Sequence, residues 1–116
     1  MQVLLNSDHN IRGDQRLTEI VQGEVDRVLG RFAEHVTRLE VHVNDVNGSD
    51  KKGEDDKRCQ MEARLRGQQP ISVSHHAGSL MEAIGGAAEK LEKRLDRHLG
   101  RLESRRPAAP DIDQAQ

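Results

Sequence analysis

Three segments of the chain alternate apolar and polar residues, and this alternation constrains the fold more than any other feature. They are "TRLEVHVNDV" at 37–46, "KRCQMEARLRG" at 57–67 and "PISVSHHA" at 70–77. Successive side chains of a β-strand point to opposite faces, so each segment predicts a strand with one buried face. The short run "QVLLNS" at 2–7 is also typical of a strand. A sheet built from such strands leaves one face in water and needs a second layer on the other.

Two segments with helical periodicity supply that layer. Apolar residues recur at helical spacing from residue 15 to about 33, directly after Asp14, a residue type that favours the helix N-cap. A second helix is predicted from residue 79 to about 104. Its start is marked by Ser79 and Glu82, which have the spacing of a capping box.

The order strand, helix, three strands, helix predicts an α+β fold. It is a two-layer β-α-β-β-β-α sandwich, in which a four-stranded sheet carries both helices on one face. The glycine pair 85–86 inside the second helix is interpreted as a place of close packing on the sheet. The 116 residues suit one domain, predicted over 1–104. The polar residues 105–116 predict a disordered tail, and "NGSDKKGEDD" at 47–56 predicts a mobile loop.

Composition excludes several classes of function. Phe32 is the only aromatic residue, which argues against stacking of bases on an aromatic platform. The net charge is −2, so any binding of nucleic acid depends on where the charges lie. The single cysteine, Cys59, excludes an internal disulfide and suits a reducing compartment. No segment has the length of a membrane span or the features of a signal peptide, so we expect a cytoplasmic protein without a membrane partner.

The predicted second helix has three faces on a helical wheel. Its apolar face contains Leu80, Ile84, Ala88, Leu91, Leu95, Leu99 and Leu102. Its basic face contains Lys90, Arg94, Arg97 and Arg101, with Lys93 at the edge. Its acidic face contains Glu82, Glu89, Asp96 and Glu103, joined by Glu92. Three interpretations stay open: a solvated helix whose charges pair along its length, as Glu89 with Lys93; a coiled-coil seam; and a basic ridge for a phosphate backbone.

The first helix offers a matching basic edge, formed by Arg16, Arg27 and Arg31 beside its apolar face. Two helices on one face of a sheet are expected to set their basic edges around a shared groove. With almost no aromatic residues, such a groove favours recognition of folded RNA by its shape and phosphates rather than by its bases.

The sequence resembles the ribosome hibernation-promoting factor / ribosome-associated inhibitor family, which includes sigma modulation and S30-type proteins. The resemblance covers about residues 1–103. It is carried by "VLLNSDHNIRGDQRL" near the N-terminus and by "MEAIG" followed by "KLEKRLDRH" in the last helix. The chain departs from the family in "SHHAGS", where acidic residues are usual, in Leu80-Met81-Glu82, where an aromatic residue is common, and in the glycine pair 85–86.

This resemblance implies a fold similar to double-stranded RNA-binding domains. It also implies docking on the small ribosomal subunit near the mRNA–tRNA channel, where the protein blocks translation during stress or stationary phase. The implied partners are that subunit and its ribosomal RNA, with no DNA, and the free protein is expected to be a monomer. Without the long C-terminal extension of some members, a short-type factor is implied. The RNA-binding residues that match the family are Lys90, Lys93, Arg94, Arg97 and Arg101, with Arg27 and Arg31 matching more loosely.

Other constellations favour neither an enzyme nor a metal site, and no cofactor is expected. His75 and His76 are adjacent on a strand and point to opposite faces, so they cannot bind one metal ion together. His42, Glu62 and His76 share the predicted open face of the sheet, where a surface metal site is a minor alternative to solvated side chains. Cys59 is in phase with apolar neighbours and is interpreted as a core thiol. The alternative to RNA binding is a regulatory protein-interaction module on the same fold.

Overall fold

The computed structural model describes residues 1–8, 15–45 and 57–104, and for residues 101–104 it describes the backbone only. Its elements follow the predicted order: β1 Gln2–Ser7, α1 Gln15–Leu29, a 3-10 turn Gly30–Phe32, β2 Val36–Asp45, β3 Lys57–Leu65, β4 Ile71–Ala77 and α2 Leu80–Ser104. The predicted α+β class and β-α-β-β-β-α order are therefore confirmed. The N-cap at Asp14, the loop 47–56 and the tail 105–116 lie outside the described residues.

The four strands form one sheet in the order β1-β2-β3-β4. β1 runs parallel to β2, because α1 carries the chain back across the sheet between them. β2, β3 and β4 are antiparallel neighbours, which confirms the predicted hairpin. In its turn the Gln68 amide donates to the Leu65 carbonyl at 3.3 Å, and Gly67 has a φ of +71°, a value that L-residues with side chains rarely adopt.

Strand β2 departs from simple alternation at one end. Val36 pairs with Leu65 and Arg38 pairs with Arg64, so Thr37 is an extra residue in β2. The Thr37 hydroxyl donates to the Arg64 carbonyl at 3.0 Å. This bulge changes the phase of the strand, and as a result Val36 and Leu39 are both buried although they are three residues apart.

The core lies between the sheet and both helices. Its sheet layer comes from Leu39, Val41, Val43, Cys59, Met61, Ala63 and Ile71, and its helix layer from Leu17, Val21, Val25, Val28, Ile84, Ala88, Leu91 and Leu95. The predicted apolar face of α2 is confirmed at Ile84 through Leu95, whereas Leu80 and Leu99 are only partly buried. Ala83 and Ala87, which the prediction did not include, are fully buried as well.

At Gly86, α2 packs tightly against β4. A Cβ atom at this position would overlap the imidazole ring of His75. His75 stands opposite Cys59 in β3, on the face that the helices cover, as the alternation predicted. The interpretation of the glycine pair as a close-packing position is thus confirmed for Gly86.

The predicted N-cap of α2 is present. The Ser79 hydroxyl oxygen accepts from the Glu82 amide at 3.2 Å, and the hydroxyl donates to the Glu82 carboxylate at 3.3 Å. A carboxylate in the first turn also complements the positive end of the helix dipole. The cap fixes where α2 begins.

Candidate nucleic-acid interface

Four basic residues form an exposed ridge along α2. Lys90, Lys93, Arg94 and Arg97 are all exposed, and the seven residue steps from Lys90 to Arg97 cover about 10 Å of the helix axis. We call these four residues the α2 ridge. Arg101, predicted to extend it, belongs to α2, but its side chain is outside the described part of the structure. The ridge is positioned by the buried residues Leu91 and Leu95, which hold the opposite face of the helix on the sheet.

The ridge borders the free edge of the sheet. A groove of about 340 Å³ lies between α2 and β4 and is lined by Val73, Ser74, Lys90, Lys93 and Arg94. The Lys90 ammonium group donates a hydrogen bond of 2.9 Å to the Ser74 carbonyl oxygen. Because β4 is the last strand of the sheet, this bond occupies a backbone acceptor at its unpaired edge. We call this cationic groove the β4-side groove.

The opposite side of α2 carries the acidic face, which points to α1. Arg31, just after α1, lies 3.6 Å from the Glu92 carboxylate and 3.4 Å from that of Asp96. Its guanidinium group also stacks over the Phe32 ring, 4.2 Å from the ring centroid. Glu92 and Asp96 therefore pair across to the neighbouring helix layer rather than along α2.

Arg27 has a similar environment one turn earlier. Its guanidinium group is 2.6 Å from the Glu24 carboxylate. The hydrogen bond and charge of Glu24, followed by the charges of Glu89 and Glu92, raise the pKa of Arg27 above its ordinary value. A groove of about 220 Å³ between the helices is lined by Arg27, Val28, Glu89, Glu92 and Lys93.

The expectation of a shared basic groove is therefore corrected. The structure places Lys90 and Arg94 at the β4-side groove and Arg27 at the groove between the helices, with Arg31 beside Glu92, whereas Lys93 lines both grooves. The acidic face lies between these two basic sets. The rotation of α2 about its own axis, set by its apolar face, decides this arrangement. We call the space between the helices the inter-helix groove.

The open face of the sheet carries a network of paired charges. The Glu40 carboxylate lies 2.7 Å from Arg38, 3.5 Å from Arg64 and 3.7 Å from the His42 imidazole. Arg64 also reaches Glu62 at 3.8 Å. Cross-strand pairs of opposite charge contribute modestly to a sheet, so these residues satisfy each other without a partner molecule.

The structure does not assemble the minor metal site considered on that face. In the sheet register His42 pairs with Gln60, Glu62 pairs with Ser72 and His76 pairs with Arg58, which places the three side chains in different rows. Within residues 1–8, 15–45 and 57–100, no three His, Cys, Asp or Glu side chains come together as metal ligands do.

Cys59 is confirmed as a core thiol. It is fully buried, and burial raises its pKa to about 12. The reactive form of cysteine is the thiolate, so this group is protonated and inert near neutral pH. A role as a nucleophile finds no support in its surroundings.

The inter-helix ion pairs were missed by the sequence analysis, although a signal for them exists. Arg27 and Arg31 are four residues apart, and Glu89, Glu92 and Asp96 recur at spacings of three and four. Such complementary rows indicate two helices that face each other.

The described helices contain no segment that is both long and apolar enough to cross a membrane.

The fold of this chain is also found in solved structures. The N-terminal domain of Protein Y from Thermus thermophilus superposes with a TM-score of 0.68 at 18% identity, covering 84% of this chain and 99% of that one. A ribosomal subunit interface protein from Coxiella burnetii gives a TM-score of 0.69 at 13% identity, covering 86% of this chain and 99% of that one. At such identities the likeness shows the fold alone.

Comparison with curated protein sequences gave no match. A family model does match: the Sigma 54 modulation protein / S30EA ribosomal protein family, over residues 6–103. The match spans α1, α2 and the whole sheet except the first residues of β1. The resemblance inferred from the sequence is thus confirmed, and the chain belongs to the Sigma 54 modulation protein / S30EA ribosomal protein family, a family of ribosome-associated proteins.

Proposed function

We propose that this protein binds ribosomal RNA of the small ribosomal subunit near the mRNA–tRNA channel and inhibits translation under stress or in stationary phase. It acts in the cytoplasm, without catalysis and as a monomer when free. Membership of a ribosome-associated family supports the ribosome as its target. The observation that carries the proposal is the α2 ridge beside the β4-side groove, where four cations line one exposed surface.

The chemistry of this surface suits a phosphate backbone. Lysine and arginine bind phosphate oxygens, and each contact releases counterions, which drives association at low salt. The only aromatic side chain, Phe32, is buried and therefore cannot stack on a base. Recognition thus depends on RNA shape and phosphate position, as it does for folded RNA in general.

The proposed RNA-binding residues are not equivalent. The α2 ridge is exposed, and among the described residues Lys90 is its one member with a hydrogen bond to the protein backbone. Arg27 and Arg31 already contact carboxylates at 2.6 Å and 3.4 Å. We therefore assign the main contribution to Lys90, Lys93, Arg94 and Arg97, whereas binding by Arg27, Arg31 and Arg101 stays a prediction.

Reversal of two ridge charges tests this function. The double variant Arg94→Glu/Arg97→Glu should lose at least about tenfold in affinity for purified small subunits, and log Kd should depend less steeply on log salt. Both side chains are exposed, so the thermal unfolding midpoint should change little. Co-sedimentation with small subunits at several salt concentrations gives both quantities.

A matched control distinguishes the effect of the site from the effect of the changed net charge. The variant Arg58→Glu/Arg66→Glu changes the net charge equally, but Arg58 is on the open face of the sheet and Arg66 follows β3. Its affinity should stay within about threefold of the unmodified protein. Equal affinities for the two double variants would contradict the assignment to the α2 ridge.

The alternative, a protein-interaction module that binds no RNA, would use the open face of the sheet. On that face Glu40 and Glu62 pair with Arg38 and Arg64, so these four charges offer a protein partner less than the exposed α2 ridge offers a polyanion. Pull-down from extract with and without nuclease treatment distinguishes the two functions. Ribosomal proteins and RNA should be lost on nuclease treatment, whereas a protein partner retained after it would favour the alternative.

A further inference from the structure

The inter-helix groove and the β4-side groove have opposite electrostatic character, although a single helix separates them. The carboxylates of Glu24, Glu89, Glu92 and Asp96 line or flank the inter-helix side, together with the guanidinium groups of Arg27 and Arg31. Four negative charges thus face three positive ones, those of Arg27, Arg31 and Lys93. Among the described residues, the β4-side groove is lined by three cations, Lys90, Lys93 and Arg94, and by no carboxylate.

Three side chains contact the guanidinium group of Arg31. Glu92 and Asp96 approach its guanidinium group at 3.6 Å and 3.4 Å, and the Phe32 ring lies beneath it. The Arg31 side chain is still 55% exposed, so burial does not prevent a solute from reaching it. A phosphate that approaches Arg31 must displace two carboxylates and meets their repulsion, which persists over about a Debye length of 8–10 Å.

We propose that Glu92 and Asp96 are specificity determinants that confine RNA to the β4 side of α2. They neutralise Arg31 and make the inter-helix groove unfavourable for phosphates, so Arg31 serves as a structural partner of α2, in contrast to the RNA-binding role that the family resemblance implies for it. The surface then fits one phosphate backbone running along α2, rather than a polyanion lying across both helices. This inference rests on the proposed function and specifies which side of the molecule performs it.

The test neutralises the two carboxylates without changing their size. A 20-base-pair RNA duplex serves as a polyanion without a defined docking site, and its Kd is measured at low and moderate salt. For Glu92→Gln/Asp96→Asn we expect about threefold to tenfold tighter binding, because Arg31 is released and repulsion is removed. The salt dependence should also steepen by about one phosphate contact.

The matched control is Glu19→Gln/Asp26→Asn. These two carboxylates on α1 accept hydrogen bonds from Gln15 and Gln22, respectively, so the substitutions change the net charge equally without touching Arg31. Adding Arg31→Gln to the Glu92→Gln/Asp96→Asn variant should reduce the gain to the part that comes from the removed repulsion. A gain as large in the control would overturn the proposal, and so would no gain at all. A gain that Arg31→Gln leaves undiminished would overturn the role given to Arg31.

Failure of this inference can be told apart from failure of the proposed function. Small subunits are bound in parallel by the unmodified protein and by Arg94→Glu/Arg97→Glu. If the ridge reversal weakens subunit binding while Glu92→Gln/Asp96→Asn leaves duplex binding unchanged, only the specificity role of the carboxylates is wrong. If the ridge reversal has no effect on subunit binding, the proposed function is wrong.

Discussion

The two long sides of α2 are built from the same helix, but they are used differently. On the α1 side, charges of opposite sign meet within 4 Å, as Arg31 does with Glu92 and Asp96. On the β4 side, charges of one sign are placed next to each other and remain exposed. Paired charges contribute to the packing of two helices, whereas adjacent like charges repel each other and lower stability. The difference is what the proposed function predicts: the α1 side holds the helices together, and the β4 side binds the phosphate backbone.

The largest change in stability is expected at the contact between Gly86 and His75, because this contact sets how closely α2 approaches β4. Gly86→Ala should reduce the free energy of unfolding by about 1–3 kcal/mol, because its Cβ atom overlaps the imidazole ring. In a His75→Ala background the same substitution should stabilise the protein by up to about 1 kcal/mol, because alanine is the better helix former. Urea unfolding of the four proteins measures the cycle.

A cost for Gly86→Ala that is the same in both backgrounds would contradict this packing contact. The control is Gly23→Ala in α1, where a Cβ atom meets nothing within 4 Å. That substitution should stabilise the protein in either background.

The Cys59 thiol is buried in the core that supports α2, and its titration provides a second test. Its pKa rises from 9.0 to about 12 on folding, so between these values the unfolded state loses a proton that the folded state keeps. The free energy of unfolding should therefore be unaffected below pH 9 and should fall above it by about 1.4 kcal/mol per pH unit. Urea unfolding at pH 8 and pH 10 measures the change.

Cys59→Ala is the control for other groups that titrate in alkali. This variant should be less stable at pH 8 because a buried side chain is shortened. Its free energy of unfolding should not show the decrease above pH 9 that titration of the thiol causes. An identical pH dependence in both proteins would show that the thiol is accessible to water.

The smallest expected effect compares the two sides directly. Arg31→Gln removes an ion pair on the α1 side and should lower the free energy of unfolding by a few tenths of a kcal/mol, because the side chain is 55% exposed. Arg94→Gln removes a like-charged neighbour on the β4 side and should leave stability unchanged or slightly raised. Urea unfolding at low and high salt measures both, and the difference should shrink as salt screens it. Arg94→Gln proving the more destabilising would contradict the division between the sides.

Most of the fold could be predicted from the sequence, because alternation and helical periodicity are local patterns. The strand ends differ from prediction by one or two residues, and Gly86 was identified as a packing position from its place inside a helix. The bulge at Thr37 could not be seen, since the phase change it causes makes Val36 resemble a residue on the polar face. Only the register with β3 reveals that both Val36 and Leu39 are buried.

The candidate site could be predicted only in part, because it depends on how two helices are rotated relative to each other. A helical wheel separates the basic face of α2 from the acidic face, and the structure preserves that separation. A helical wheel does not show which face of α2 meets α1. For this reason the sequence predicts that Arg27 and Arg31 line the same groove as Arg94 and Arg97. Burial of Ala83 and Ala87 turns α2 so that its carboxylates meet α1 instead.

Because Lys90 occupies the Ser74 carbonyl, the outer edge of β4 carries a positive charge where another strand would pair. Two free molecules that approach edge to edge bring like charges together, which opposes fibril-like association at high concentration. RNA bound to the α2 ridge as proposed would cover the same edge. We therefore expect Lys90→Met to raise turbidity in concentrated samples and added RNA to suppress it.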